Sequence, residues 1–363
     1  MLSIQEILAI TYLPGITSNA ARALAESGAA FDDLVRFPAA DLARLGLRRA
    51  AGEAITSPDP YLNRALEQME CARALGARIL HFWADGFPAM LREIYAPPIV
   101  LHVWGDLECC VERAIAVVGT RTASMYGHLA AERYAARFAA AGVTVVSGLA
   151  RGIDSYAHNA VLKAGGRTLA VVASGLDQIQ PAHAASLARR IAERGAVVSE
   201  YPFGVKALRP YFPQRNRIIS GLAAATVVVE SDERGGGMIT AGFALDQNRE
   251  VFAVPGPVLA EKSRGTNLLI RTDRARLTQS PDDVLDALGF HIAPETVVSP
   301  EAGRSGLTAF ELQLYDLLGP EPLHVEMLCE RSGMAPGDVL VNLLSLEFKG
   351  LVRQLAGKLF LRV

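Results

Sequence analysis

Apolar residues recur in short, nearly unbroken runs through the middle of this chain. They read AIAVVG (114–119), VTVVSG (143–148), TLAVVA (168–173), AVVSEY (196–201), ATVVVE (225–230) and EVFAVP (250–255). A parallel strand covered by helices on both faces needs such continuous runs, of about four to eight residues. Between most of them lie alanine-rich stretches of helical period, such as GHLAAERYAARFAAAG from Gly127. Strand and helix alternating in this way predict a doubly wound, Rossmann-like α/β sheet over residues 111–290.

The flanks follow other patterns. Residues 1–60 read as short helices, with LPGIT at Leu13–Thr17 as a tight turn and LARLGLRRAAGEAI from Leu42 as a second such unit. That turn resembles a helix-hairpin-helix, and a small SAM-like protein-docking domain is the competing reading. Residues 61–110 predict a helix near Tyr61–Leu75, then a bridge with the strand IVLHVWG that packs on the edge of the central domain. HIAPETVVSPEAGRSG (291–306) is Pro/Ser/Gly-rich and non-periodic, a linker. Residues 307–363 predict three helices and a hairpin turning at Gly357, a winged helix-turn-helix. The helix in the recognition position, around Pro336–Phe348, carries Asp338 and Glu347 and has no basic residue before Lys349. A protein-contact or regulatory role fits it better than DNA reading.

Composition narrows the class. Half of the 363 residues are hydrophobic and a fifth are charged, as in an ordinary soluble protein. No apolar run approaches the roughly 20 residues that cross a bilayer. The start, MLSIQEILAITYLPG, has no basic n-region, so a cytoplasmic location without a membrane partner is expected. Cys71, Cys109, Cys110 and Cys329 show no ligand spacing, so no metal is expected. The formal net charge of −2 hides a division: residues 111–290 hold 21 Lys/Arg and 16 Asp/Glu, a net of +5. A polyanion is therefore drawn to the centre of the chain and not to its ends.

The candidate chemistry sits at the carboxyl ends of the predicted strands, where open α/β sheets bind ligands. VVGTRTASMYG (117–127) offers Gly119 for close approach, the hydroxyl of Thr120, the fork of Arg121 and a helix start near Tyr126. SGLARGID (147–154) brings Ser147, Gly148 and Arg151, SGLDQIQP (174–181) a third loop, and ESDERGGGMITAG (230–242) the glycines Gly236 and Gly237. Several cradles side by side suggest a ligand with several phosphates. The stretch 199–220, SEYPFGVKALRPYFPQRNRIIS, adds Lys206, Arg209, Arg215 and Arg217 against Glu200 alone, with Tyr201, Phe203, Tyr211 and Phe212 among them. Cations track a phosphate backbone and aromatic faces stack on unpaired bases, so this is the composition of a single-strand nucleic-acid site. Arg215 and Arg217, two apart, point to different sides of a helix: one can face the ligand while the other ties the loop to the sheet. Asn216 caps that helix or bonds a base edge.

Competing chemistries lack their motifs. GTRTASMYG does not have the G-x-G-x-x-G spacing, no acid ends the second strand, and no G-x-x-x-x-G-K-[ST] occurs, so no nucleotide cofactor is expected. Asp154 and His158 lie four apart on one helix face and read as an N-terminal charge and a packed imidazole. No acid/base pair is assembled, and catalysis is not expected. An enzyme acting on a nucleoside monophosphate, such as a phosphoribohydrolase, remains the alternative, with Glu230 or Asp154 as its carboxylate. A scaffold whose end domains bind proteins is a third class.

In order along the chain, VVGTR (117–121), SGLARGID-x-x-AH (147–158), SEYP (199–202), FPxRNRIIxGL (212–222), VVVE (227–230), ITA-x-x-AL (239–245), REVFAVPG (249–256) and GTN (265–267) resemble the DprA family of DNA-processing proteins. The resemblance spans the central domain and the flanking architecture. It implies an extended Rossmann fold that binds single-stranded DNA without cleaving it. It implies a homodimer that protects incoming DNA and loads the RecA recombinase in natural transformation. Carried over, the phosphate-binding turn falls on Gly119, Thr120 and Arg121. The second turn falls on Ser147, Gly148 and Arg151, the basic and aromatic pair on Arg209 and Phe212, and the RNR motif on Arg215, Asn216 and Arg217. The chain departs from the family at Gly236 and Gly237, where members often have serine between glycines. It departs also at Leu268, where many have arginine, and at Gln180, commonly tyrosine.

Overall fold

The computed structural model describes residues 2–108, 111, 113–290, 307–319, 321–355 and 357–362. The chain divides into two compact units, Met1–His291 and Ile292–Val363. The sequence-predicted linker at 291–306 and Cys109 and Cys110 lie outside the described residues.

The first unit is built on a sheet of nine described strands: β1 (Ala77–His81), β2 (Val100–Gly105), β3 (Ala114–Val118), β4 (Thr144–Ser147), β5 (Thr168–Val171), β6 (Ala196–Ser199), β7 (Ala225–Val228), β8 (Glu250–Ala253) and β9 (Arg276–Leu277). Their order is β1-β2-β6-β5-β4-β3-β7-β8-β9. From β6 to β9 every pairing is parallel, while β2 runs antiparallel to both β6 and β1. The six apolar runs are thus the six long parallel strands, and in β3 to β7 every strand residue is buried. That burial is why they carry no polar alternation. β2 is the IVLHVWG run. β1 and β9 carry no such signature, being half-buried or exposed at the two sheet edges. The chain winds outward from β3 in both directions, so β3 and β7 flank the point where the strand order reverses.

Helices at Ile4–Thr11, Ser18–Glu26 and Asp59–Leu75 pack with three shorter ones over the β1–β2 edge. A capping box, Ser3 with Glu6, starts the first helix, and Gly15 at φ +69° makes the LPGIT turn. Leu8, Leu24, Leu34 and Ile55 form one core with Ile99 and Val100, so these helices share buried surface with the sheet edge.

Two imidazoles lie inside this unit. His158 Nδ1 lies 2.7 Å from the Thr168 hydroxyl, which itself donates to Val145 O, and its Nε2 has no partner. His102, on β2, is buried and neither ring nitrogen makes a hydrogen bond. Burial pulls His158 down to about 3 and His102, beside the Ser199 backbone, to about 4. An unfolded histidine titrates near about 6.5, so as pH falls below that value the unfolded chain binds protons that the folded chain refuses. Stability is complete above that pH and declines below it, by about 1.4 kcal/mol per pH unit for each histidine. His102→Leu, which forfeits no hydrogen bond, should remove about one histidine's share of that decline in urea unfolding at pH 7, 6 and 5. Equal slopes for the variant and the parent would remove His102 from the account.

The second unit carries helices at Ala309–Leu317, Val325–Ser332 and Pro336–Phe348, with strands β10 (Leu323–His324), β11 (Val352–Leu355) and β12 (Leu359–Arg362) in the order β10-β12-β11. Gly357 turns the β11–β12 hairpin at φ +85°. Leu314, Leu328, Val339, Leu343, Leu346 and Phe360 fill its core. This is the winged helix expected from the sequence, with one short extra strand.

Candidate nucleic-acid interface

The candidate site lies over the carboxyl ends of β3, β4 and β7, at the strand-order reversal where open α/β sheets leave a crevice. Two residue layers build it. The lower one is buried and structural.

Gly119 ends β3 against its neighbours: a Cβ there would stand 2.6 Å from Ile153 Cγ1 and 2.7 Å from Glu230 O. Only glycine lets the turn lie this close to the helix at Ile153–Lys163. Thr120 N donates to Glu230 O at 2.7 Å, locking the turn to the end of β7. The Glu230 carboxylate accepts from Ser124 N at 2.8 Å and from Ser124 Oγ at 2.6 Å, and Ser124 Oγ in turn caps the helix Met125–Ala140 by accepting from Gly127 N. Ser147 is buried and donates to Val117 O at 2.6 Å, stitching β4 to β3 below the crevice.

Arg215 is the centre of this layer. It is 4 % exposed, and its Nη1 donates to Gly148 O at 2.8 Å and to Val171 O. Its Nε donates to Asn216 Oδ1 at 3.3 Å. Asp154, buried beside it, accepts from Gly148 N at 3.2 Å and Ala150 N at 3.3 Å. A Cβ on Gly148 would meet Arg215 Nη2 at 2.7 Å and Asp154 Oδ2 at 2.8 Å, so the glycine makes room for the pair. Burial pulls the guanidinium down to about 10, which leaves it charged at neutral pH. Asn216 reaches Gly236 O at 3.5 Å and ties the RNR helix to the glycine turn.

The upper layer faces outward. Arg121 is exposed, and its Cζ stands 4.9 Å from the ring centroid of Phe212. This pair, with Arg215 beneath it, stands between two hollows. The first, of about 560 Å³, is lined by Gly119, Thr120, Arg209, Asn216, Gly236 and Gly237 among others. The second, of about 410 Å³, is lined by Gly148, Arg151, Ser174, Pro181, His183 and Ala207 among others. Arg121, Phe212 and Arg215 line both. Asp154 is the one carboxylate lining either hollow, and it is held by Arg215 and two amides. The helix Gly236–Asp246 opens onto the first hollow without a side-chain cap; Met238 N donates to Gly235 O at 3.1 Å, and the N–H groups of Gly236 and Gly237 are left for an anion.

The structure separates residues that adjacency in sequence groups together. Arg217 does not line either hollow. It turns to Glu200, with Nη2 at 2.6 and 2.7 Å from the two carboxylate oxygens, because helical spacing puts it on the side opposite Arg215. Lys206 is exposed but lines neither hollow. Of the four aromatic residues, Phe203 is buried edge-on to His102, and Tyr201 and Tyr211 stack on each other at 4.4 Å; Phe212 alone lines the hollows. His183, just past the third loop, and Ile239, inside the glycine loop 230–242, join the linings although neither is singled out as a site residue by the sequence. Glu230 and Asp154, the carboxylates an enzyme reading requires, both serve as acceptors for helix and loop amides.

Residues 78–289 match the family model of DNA recombination-mediator protein A, and residues 298–358 match the DprA winged helix domain. Protein Smf of Escherichia coli is 39% identical over 281 residues, covering 76% of this chain and 74% of that relative. DNA processing protein DprA of Bacillus subtilis is 38% identical over 217 residues, 60% of this chain and 73% of the relative. The X-ray structure of DNA processing protein A from Streptococcus pneumoniae superposes with a TM-score of 0.65 at 31% identity, covering 78% of this chain and 97% of that one. DNA processing protein A from Helicobacter pylori, solved to describe its single-stranded DNA binding mode, gives a TM-score of 0.53 at 25% identity, covering 58% and 95%. The chain belongs to the DNA recombination-mediator protein A family, the DprA or Smf proteins.

Proposed function

We propose that this protein binds single-stranded DNA over the carboxyl ends of β3, β4 and β7, protects it, and hands it to a RecA-class recombinase, acting as a cytoplasmic homodimer in natural transformation and recombination. One observation carries the DNA reading. A cation paired with an aromatic face, Arg121 on Phe212, separates two glycine-lined hollows whose one carboxylate is already held. Phosphates fit the open N–H groups of the Gly236 turn, Arg121 and Arg209, and a base fits the face of Phe212. Phosphate contacts and stacking on an aromatic face do not depend on which base is present, so the binding tolerates sequence. The Helicobacter pylori relative supports the same ligand class.

The test is fluorescence anisotropy of the full chain with single-stranded and duplex oligonucleotides over a salt series. Preference for the single strand is expected. Arg209→Ala should make the log–log salt dependence shallower by about 0.7, the loss of one phosphate contact on a single strand. Arg217→Gln should leave the slope where it was, since its charge is already spent on Glu200. Equal effects of the two substitutions would contradict this placement of the DNA. Hand-over is read separately, as faster RecA filament nucleation on single strands coated with a competing binding protein.

A further inference from the structure

A separate cavity, of about 150 Å³, lies where the helices Ile4–Thr11 and Ser18–Glu26 cover β2 and the turn after β6. It shares no lining residue with either hollow of the nucleic-acid site. Leu8, Ile16, Val100 and Pro202 give it apolar walls, while Tyr12, His102 and Glu200 bring polar groups to it.

His102 breaks the pattern of its strand. Val100 and His102 alternate with Leu101 and Val103, and Val100 packs into the core shared with the N-terminal helices. An apolar side chain would suit position 102. An imidazole stands there instead, 1 % exposed, and neither of its nitrogens makes a hydrogen bond. Ser199, across the strand pair, cannot supply one from its hydroxyl, which donates to Ser174 O at 2.7 Å and accepts from Tyr201 N at 2.9 Å. Phe203 packs edge-on against the imidazole, at 5.4 Å between ring centroids. The Tyr12 hydroxyl is a second buried group without a partner, on a ring that carries Arg64 over its face, Cζ 4.5 Å from the centroid. Two polar side chains left unbonded at one cavity cost stability, which a bound molecule that meets them recovers.

We propose that this cavity binds a small uncharged molecule, a flat ring bearing an amide-type edge with both a hydrogen-bond donor and an acceptor. The walls exclude ions. Burial keeps His102 neutral at pH 7 and holds the Tyr12 phenol protonated, and Glu200 already accepts from Arg217 Nη2 at 2.6 and 2.7 Å. An ion would shed its water there and find no free counter-charge. The unmet groups set the polar edge. A neutral imidazole has one donor and one acceptor, and a phenol hydroxyl serves as either. A carboxamide, or the edge of a nucleobase-like heterocycle, answers with both. Size sets the body: a water claims about 30 Å³, so the room suits about five waters or one substituted ring. Glu200 also anchors Arg217 on the helix that carries Phe212 and Arg215, so the occupant borders the framework of the DNA site without entering it.

The experiment titrates the full chain with benzamide and with two ions of the same shape, benzoate and benzamidine, by ligand-observed NMR. Benzamide should bind with a Kd of about 1 mM or tighter, as its roughly nine non-hydrogen atoms allow. The two ions should bind at least about tenfold more weakly. His102→Leu and Tyr12→Phe should each weaken benzamide by about fivefold or more, the loss of one neutral hydrogen bond. Ala21→Leu, at a buried position in the lining, should fill the space and abolish binding. Melting curves establish that each variant folds. A saturating single-stranded oligonucleotide should leave benzamide affinity unchanged. No binding of benzamide at about 10 mM, weaker than 3 kcal/mol of affinity, would leave the cavity to water and overturn the assignment. So would equal binding of the ions, or indifference to both His102→Leu and Ala21→Leu. Displacement by the oligonucleotide would also overturn it, by giving the ring to the hollows.

Discussion

Arg215→Met should lower the unfolding free energy by about 3–5 kcal/mol, because it leaves the buried Asp154 carboxylate without its counter-charge. The side chain is 4 % exposed and donates to the carbonyls of Gly148 and Val171, at the ends of β4 and β5, which lose their donor at the same time. Urea unfolding at pH 7 measures the effect. The double variant Arg215→Met with Asp154→Asn should recover part of the loss, since it removes the orphaned charge. A single variant within about 1 kcal/mol of the parent would show the pair to be dispensable. The consequence for function is indirect. Arg215 sets the floor shared by both hollows, so single-strand affinity should fall as well, alongside stability and not instead of it.

The second large effect is expected at Phe212. Phe212→Ala should weaken single-strand binding by about 1–3 kcal/mol, roughly tenfold to a hundredfold, with no change in salt slope, because stacking involves no counterion release. Arg121→Ala should weaken binding too, but with a change in the salt slope. Its affinity loss is smaller at high salt than at low salt, and the slope becomes shallower by about 0.7 for the lost phosphate contact. The two side chains touch, at 4.9 Å from guanidinium carbon to ring centroid, so their effects should not add. The double variant is expected to lose less than the sum of the singles. Anisotropy titrations at two salt concentrations separate these outcomes. Strict additivity would mean that the ring does not support the guanidinium and that the two sit on separate parts of the DNA path, whereas a slope change on Phe212→Ala would mean that the ring acts through a phosphate contact and not by stacking alone.

The fold was legible where burial on both faces imposes an unambiguous pattern. β3 to β8 follow from their apolar runs, and the three helices and hairpin of the winged helix follow from their period and from Gly357. The strands that escaped are β1, β9 and β10. An edge strand is half-exposed, and a two-residue strand has no period to detect. The candidate site was legible as a set of loops. Its glycines and basic residues stand at the carboxyl ends of the strands, and the backbone at Gly119 and Gly148 comes so close to its neighbours that no side chain fits.

Which cation faces the hollows was not legible. Arg209, Arg215 and Arg217 are equivalent as letters within nine residues, yet one is exposed at a hollow, one is buried under it, and one is paired with Glu200 on the far side of the helix. The same sorting separates Phe212, which supports Arg121, from Phe203, which is core. Composition determined by itself that a basic, aromatic-bearing crest sits on a parallel sheet, because charge and hydrophobic period are properties of local sequence. The role of each side chain was decided only in three dimensions. Burial and counter-charges come from segments dozens of residues away, as Asp154 meets Arg215 and Glu200 meets Arg217, and no local pattern records those meetings.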